Sequence, residues 1–158
     1  MDFNRGFRLK ALYIGSFDPF TIGHYEVLKQ AEELFDEVII CIARNLEKKR
    51  RFSELTCANA LNFIDGKKRT VVFSDKLATD VAKEYGCEYI IRGLRGGSDY
   101  FYEENLAKQY KLTHPSVKVV YFNSDSPVSS SFVYELWKRD IDVSDYLPYG
   151  INHLKEEK

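Results

Sequence analysis

Apolar and polar positions change period repeatedly along the chain, and the changes divide it into short strands and longer helices. Residues 9–14 (LKALYI), 38–43 (VIICIA), 70–73 (TVVF), 88–91 (EYII) and 117–122 (VKVVYF) are short and rich in β-branched or aromatic residues, as strands are. The run 38–43 is apolar throughout, the pattern of a strand covered on both faces of a parallel sheet. Between the strands apolar residues recur three and four apart. Residues 24–35 set Val27, Leu28, Ala31, Leu34 and Phe35 on one helical face. Further helices are predicted over 54–64 after an N-cap at Ser53, and over 76–85 after Ser74-Asp75 and before the C-cap Gly86. Two more are expected over 99–113, after Ser98 and before Pro115, and over 130–139 after Ser129, with a helical turn over 143–147.

Strands that alternate with helices demand right-handed crossovers. The expected fold is α/β, a Rossmann-like doubly wound sheet of five parallel strands in a single domain spanning residues 1–158. Residues 1–8 read as an N-terminal extension and 149–158 as a C-terminal tail. Ligands of such sheets bind beyond the carboxyl ends of the strands, at the point where the strand order reverses. Chemistry-bearing residues are therefore sought immediately after strands.

Composition narrows the function classes. Of the 158 residues, 44% are hydrophobic and 30% charged, which is ordinary for a globular chain. The formal net charge of −1 provides no global field for nucleic acid or an anionic membrane, so an anion has to be held by a local cluster. Cys41, Cys57 and Cys87 match no zinc or redox spacing and suit a reducing compartment. Met1 to Gly6 has no signal-like apolar stretch, and the longest apolar run, Val38 to Ala43, is far short of a membrane span. The expected location is cytoplasmic, with no nucleic-acid or membrane partner.

The first strand runs directly into G-S-F-D-P-F-T-I-G-H, residues 15–24, at the start of a helix. Gly15 allows a tight bend and a close approach to a ligand, and Asp18-Pro19 is a turn dipeptide. Thr21 as N-cap places Gly23 and His24 in the first helical turn, where free N–H groups and the helix dipole attract phosphate. Taken alone His24 would read as a capping or surface residue. In this strand-turn-helix setting the segment resembles the T/H-x-G-H signature of the nucleotidyltransferase superfamily, which includes class I aminoacyl-tRNA synthetases and small adenylyl- and cytidylyltransferases. The resemblance implies that His24 contacts nucleotide phosphates and stabilises the transition state.

Three further segments follow strands. Residues 44–51, R-N-L-E-K-K-R-R, are a basic loop, most of which is solvated charge. The fourth strand ends in I-I-R-G-L-R-G-G-S-D-Y-F-Y-E, with Arg92 and Arg95 spaced to aim guanidinium groups at two phosphates. V-S-S-S-F-V-Y-E-L, residues 128–136, opens a helix with three hydroxyls, of which N-capping needs one. The Arg92 segment closely resembles that of the phosphopantetheine adenylyltransferases, enzymes of the penultimate step of coenzyme A synthesis. The likeness extends from about Leu12 to the D-V-S-D-Y-L-P ending at Pro148.

That resemblance implies a set of roles. His24, Lys48 and Arg95 would be catalytic, with Lys49 an alternative register for Lys48. ATP would be held by Ser16, Phe17, His24, Gly93, Arg95, Tyr102, Glu103, Ser130 and Ser131. The acceptor 4′-phosphopantetheine would be held by Ser16, Lys48, Leu77 and Arg92, while Asp99 would cap its helix. The acceptor phosphate would attack the α-phosphorus in line, with no covalent intermediate. Mg²⁺ would accompany the triphosphate, with no dedicated protein metal site. The family likeness also suggests a homohexamer and feedback inhibition by coenzyme A. Four departures from the family pattern stand out: Ser16 in place of threonine, Gly96-Gly97 in place of larger residues, a shorter segment before the serines without its aromatic, and the extension Met1 to Arg8. The alternatives are a sister nucleotidyltransferase with another phosphorylated acceptor and a non-catalytic nucleotide-binding regulatory module.

Overall fold

The computed structural model describes residues 8–62, 64–148 and Leu154. The elements run β1 (Lys10–Gly15), α1 (Ile22–Leu34), β2 (Glu37–Ala43), α2 (Glu54–Leu61), β3 (Thr70–Ser74), α3 (Ala78–Glu84), β4 (Tyr89–Leu94), α4 (Gly97–Thr113), β5 (Lys118–Asn123), α5 (Ser130–Lys138) and a 3₁₀ turn at Ser144–Tyr146. All neighbouring strands are parallel, in the order β3-β2-β1-β4-β5. The order reverses between β1 and β4, and this is where a ligand crevice is expected.

Strand pleating explains the two cores. Tyr13, Ile40, Ile42 and Ile91 point to one face and pack with Leu28 and Ala31 of α1, Leu61 of α2 and Val133 and Trp137 of α5. Leu12, Ile14, Ile39, Cys41 and Ile90 point to the other face, with Val81 and Ala82 of α3, Cys87 and Val117. Ile39, Ile40, Cys41 and Ile42 are no more than 1% exposed, so the continuous apolar run is a doubly covered strand, as its pattern predicts. Each fully buried Ile or Leu contributes on the order of 1.5–3 kcal/mol.

Several boundaries differ from the sequence expectation. The helix expected over 54–64 ends at Leu61, ahead of a left-handed Asp65-Gly66 turn. The helix expected over 76–85 spans 78–84, and that expected from residue 99 begins at Gly97 with Gly96 as N-cap. The fourth strand extends past Ile91 to Leu94, pairing Arg92 with Tyr121 and Gly93 with Phe122 of β5. Arg92 and Gly93 are therefore strand residues, not loop residues. Of the predicted extension and tail, residues 1–7 and most of 149–158 lie outside the described residues; Leu154 is fully buried.

Side chains of α1 tie the sheet halves together. Glu26 accepts from the Ser124 hydroxyl at 3.1 Å and the Asp125 amide at 3.2 Å, and Gln30 donates to the Asn123 carbonyl at 2.9 Å. On the opposite side Arg69, buried, grips Glu32 and Asp65 with bonds of 2.9–3.1 Å.

Candidate active site

A cleft of about 400 Å³ opens over the carboxyl ends of β1 and β4, between the first turns of α1, α4 and α5. Its volume lies within the usual range for small-molecule sites, about 300–1,000 Å³. Of the expected site residues, Ser16, Phe17, His24, Arg92, Gly93, Arg95, Tyr102, Glu103, Ser130 and Ser131 all line it.

The β1–α1 turn is shaped by an aromatic knot. Phe17 has a left-handed φ of 44° and is 2% exposed, its ring edge-on to Tyr13 (4.9 Å), Phe20 (5.1 Å) and His24 (5.1 Å). A Cβ on Gly15 would stand 2.9 Å from the Phe17 ring, so Gly15 is needed for ring space inside β1. Gly23 is needed for another close approach, since a Cβ there would meet the Val128 carbonyl at 3.3 Å. At Gly93 a Cβ would meet Val27 at 3.0 Å, so this glycine lets α1 pack against β4.

His24 is the third helical residue and its imidazole turns back to the N-cap. The Thr21 N–H donates to Nδ1 at 3.0 Å, with the Thr21 hydroxyl at 3.3 Å. The histidine occupies the place that Glu or Gln takes in a capping box. With Nδ1 an acceptor, the proton of the neutral ring sits on Nε2, free to donate. Burial, then the charges of Arg95 and Arg92, push the imidazole down to about 4, so it is neutral at pH 7. His24 thus caps its helix through one nitrogen, and its other nitrogen makes no hydrogen bond among the described residues.

The two arginines are held differently. Arg92 donates through Nε and Nη2 to both oxygens of Glu103, at 2.9 and 2.8 Å, and through Nη1 to the Ile14 carbonyl at 3.0 Å. Burial opposes its charge and the Glu103 carboxylate restores it, so its pKa is raised. Arg95 stands at the rim with its side chain 57% exposed, resting on Asp99 at 3.3 Å. Asp99 also accepts from the Arg95 main-chain N–H at 3.1 Å. It lies inside α4, so its expected capping role is corrected: it braces the loop ahead of the helix.

The three serines at the start of α5 each have a structural partner. Ser129 caps the helix by accepting from the Phe132 amide at 3.1 Å. Ser130 donates to the Pro19 carbonyl at 2.7 Å, and Ser131 accepts from Arg51 Nη2 at 2.8 Å. Ser130 thus ties α5 to the β1–α1 turn and Ser131 ties it to the basic loop, and two helix N-termini converge on the cleft, an arrangement that favours anions.

Lys48 and Leu77 do not line this cleft. Lys48 is exposed in the β2–α2 loop, and Leu77, 61% exposed, precedes α3. Residues flanking both segments, Arg44 and Lys76 among them, line a second hollow of about 260 Å³ at the carboxyl ends of β2 and β3.

Sequence reasoning missed the anchoring of the basic loop. Asp18, read as a turn residue, accepts from the Arg51 and Phe52 amides at 2.8 Å each, with Arg50 at 3.7 Å. Arg51 also donates to the Asp18 carbonyl at 3.3 Å and stacks on Tyr134 at 5.2 Å. Tyr13 was missed too. Its hydroxyl, held above its ordinary pKa by burial although Arg92 opposes this, lines the cleft and donates to the His24 carbonyl at 3.4 Å. A tyrosine one residue from the end of an apolar strand was the available signal.

Anion donors and helix dipoles gathered in one cleft suit the binding of phosphate-borne groups. In agreement, the cytidylyltransferase-like family model matches residues 12–136. The chain is 37% identical over 148 residues to the phosphopantetheine adenylyltransferase of Streptococcus agalactiae, covering 90% of this chain and 92% of that one. It is 36% identical over 155 residues to that of Shouchella clausii, with coverage of 94% and 96%. Among solved structures, the lipopolysaccharide core biosynthesis protein of Thermoplasma volcanium superposes with a TM-score of 0.58 at 20% identity, over 76% of this chain and 100% of that one. A bifunctional NMN adenylyltransferase/ADP ribose pyrophosphatase of Francisella tularensis superposes at 0.65 and 16% identity, over 90% of this chain and 45% of that one. These structures share the fold. The chain belongs to the phosphopantetheine adenylyltransferase family, within the cytidylyltransferase-like nucleotidyltransferases.

Proposed function

We propose that the protein transfers AMP from ATP to 4′-phosphopantetheine, forming dephospho-coenzyme A and releasing pyrophosphate. The observation that carries this reading is the neutral His24, its Nε2–H free beside Arg92 and Arg95 where two helix N-termini converge. An oxygen of the acceptor phosphate bonds to the α-phosphorus as the bond to the β-phosphate bridging oxygen breaks. The attacking phosphate is already anionic, so no side-chain base is required.

The protein supplies position and charge. His24 and Arg95 serve the nucleotide phosphates, with Gly93, Tyr102, Ser130, Ser131 and the Phe17 turn shaping its pocket. Ser16 and Arg92 serve the acceptor phosphate, and Leu77 the acceptor's arm. Lys48 reaches from its exposed loop to the phosphates when substrates bind. Among the described residues no group of three His, Cys, Asp or Glu could hold a metal, and the cleft carboxylates Asp99 and Glu103 are each engaged by an arginine. Mg²⁺ would accompany the triphosphate and offset its charge, with no protein ligand assigned to it.

Self-association is proposed on the face of α4, where Phe101 and Leu112 are 77% and 82% exposed; the family likeness suggests six copies. A cytoplasmic setting is proposed on the burial of Cys41, Cys57 and Cys87 as thiols. Among the described residues no helix is long and apolar enough to cross a membrane.

The test is pyrophosphate release from ATP and Mg²⁺ with 4′-phosphopantetheine, beside nicotinamide mononucleotide, glycerol 3-phosphate and no acceptor. Release with 4′-phosphopantetheine alone is expected. Release only with another phosphate would overturn the acceptor, and ATP binding without release under any condition would indicate a regulatory module.

A further inference from the structure

We propose that Glu26 is a positioning residue for the nucleotide: through it, helix α1 holds residues 123–128 as the wall against which the base rests. The proposal rests on the reaction proposed above and deepens it by naming the part of the cleft that serves the base.

Residues 123–128, N-S-D-S-P-V, follow β5 and carry no aromatic side chain. Ordering such a connection costs backbone entropy, and with little apolar surface to bury, polar bonds have to offset it. Those bonds come from one stripe of α1. Gly23, Glu26 and Gln30 stand three and four residues apart, so they share a helical face. The Glu26 carboxylate accepts from the Ser124 hydroxyl at 3.1 Å and from the Asp125 amide at 3.2 Å. Gln30 donates to the Asn123 carbonyl at 2.9 Å. At Gly23 helix and segment nearly touch: a Cβ there would stand 3.3 Å from the Val128 carbonyl and 3.5 Å from the Ser124 hydroxyl. From the other side the Ser124 amide donates to the Leu94 carbonyl, at the end of β4, at 2.8 Å. Ser124 and Val128 are each 7% exposed.

The cleft has two kinds of lining. His24, Arg92 and Arg95 supply donors for phosphate. Gly23, Val27, Gly93, Ser124 and Val128 bear no charge, and they come from α1, β4 and the segment after β5. A flat, uncharged base suits this second surface, as the triphosphate suits the first. Glu26 itself does not line the cleft. A carboxylate two residues from His24 would repel a triphosphate if it turned inward. Its bonds to Ser124 and Asp125 direct it instead to the segment, through which it acts. The wall is thereby ordered before the nucleotide arrives, and the entropy of ordering it is not lost again on binding.

Titration calorimetry of ATP, AMP and inorganic tripolyphosphate against wild type, Glu26→Ala and Gln30→Ala tests this, with melting temperatures measured alongside. The first two ligands carry the base and the third lacks it. Glu26→Ala should bind ATP and AMP about tenfold more weakly and tripolyphosphate within about twofold of wild type. In steady-state kinetics its KM for ATP should rise by a similar factor, with the KM for 4′-phosphopantetheine within about twofold. Gln30→Ala loosens only Asn123, which does not line the cleft, and should leave all three affinities within about twofold. Equal weakening of all three ligands in Glu26→Ala, a matching loss in Gln30→Ala, or unchanged binding in Glu26→Ala whatever its melting temperature would each overturn the proposal. Should Glu26→Ala fail to fold, Glu26→Asp replaces it, being one methylene too short to keep both bonds. Selective weakening of ATP and AMP is again expected, and unchanged affinities would overturn the proposal. A wild type that binds no ATP overturns the reaction and this role together. An active wild type with ATP affinity unchanged in the variant overturns this role alone.

Discussion

The end of β4 and the loop after β2 look alike in sequence, basic residues following an apolar strand, yet they hold their charges in opposite ways. In β4 the arginine lies within the strand, paired with β5, and a buried carboxylate eleven residues on fixes its guanidinium. After β2 the chain leaves the sheet. Arg50 and Arg51 are spent on fastening the loop to Asp18 and Ser131, while Lys48 remains exposed. One region presents a guanidinium of settled direction, and the other an exposed lysine on an anchored loop. A basic residue after a strand can thus be scaffold, fixed cation or exposed charge, and its partners decide which.

The largest effect should come from removing the fixed cation. Arg92→Ala strands Glu103 in the interior, and breaking a largely buried pair costs about 3 kcal/mol, at the low end of the range because Arg92 is partly exposed. Both turnover and thermal stability should fall; a melting curve matching the wild type would contradict the bracing described. Lys48→Ala should separate the two properties. Its turnover should drop by about 10- to 100-fold through loss of a cation on the phosphate oxygens, with the melting temperature unchanged. If Lys49→Ala shows that loss instead, the register of the loop is off by one. Asp18→Ala leaves the Arg51 and Phe52 amides without their acceptor and should cost about 2 kcal/mol, read by denaturant unfolding.

The smallest effect concerns pH. The His24 imidazole titrates near 4, below its ordinary value of about 6.5, so an NMR titration of the free protein should show it neutral from pH 8 to about 5. The sign follows from the unfolded chain taking up a proton first. The stability this group contributes is present above about pH 6.5 and is lost as pH falls toward 4. Arg95→Ala, which removes one repelling charge, should move the midpoint upward.

Much of this was legible in the sequence because it depends on local pattern. The apolar run Val38 to Ala43 and the helical face of 24–35 establish the layers, and the glycine-bounded turns at strand ends locate the cleft. The unread parts are contacts between distant segments. Nothing local pairs Arg92 with Glu103, or gives Ser130 to Pro19 and Ser131 to Arg51, since each requires two elements to meet. Gly96 misled the start of α4, because a glycine that any loop would tolerate serves there as the N-cap. Gly15, Gly23 and Gly93 mark close approaches of side chain or backbone that only the folded structure reveals.

The most direct test of the account is phosphorus NMR of the reaction of ATP with 4′-phosphopantetheine, in wild type and in His24→Ala. Wild type should form a new diphosphate ester and pyrophosphate in equal amounts. His24→Ala should fold normally and proceed about 10²- to 10³-fold more slowly, the loss typical of one preorganised donor to a transition state. Unchanged turnover in a folded His24→Ala would contradict the role assigned to this cleft.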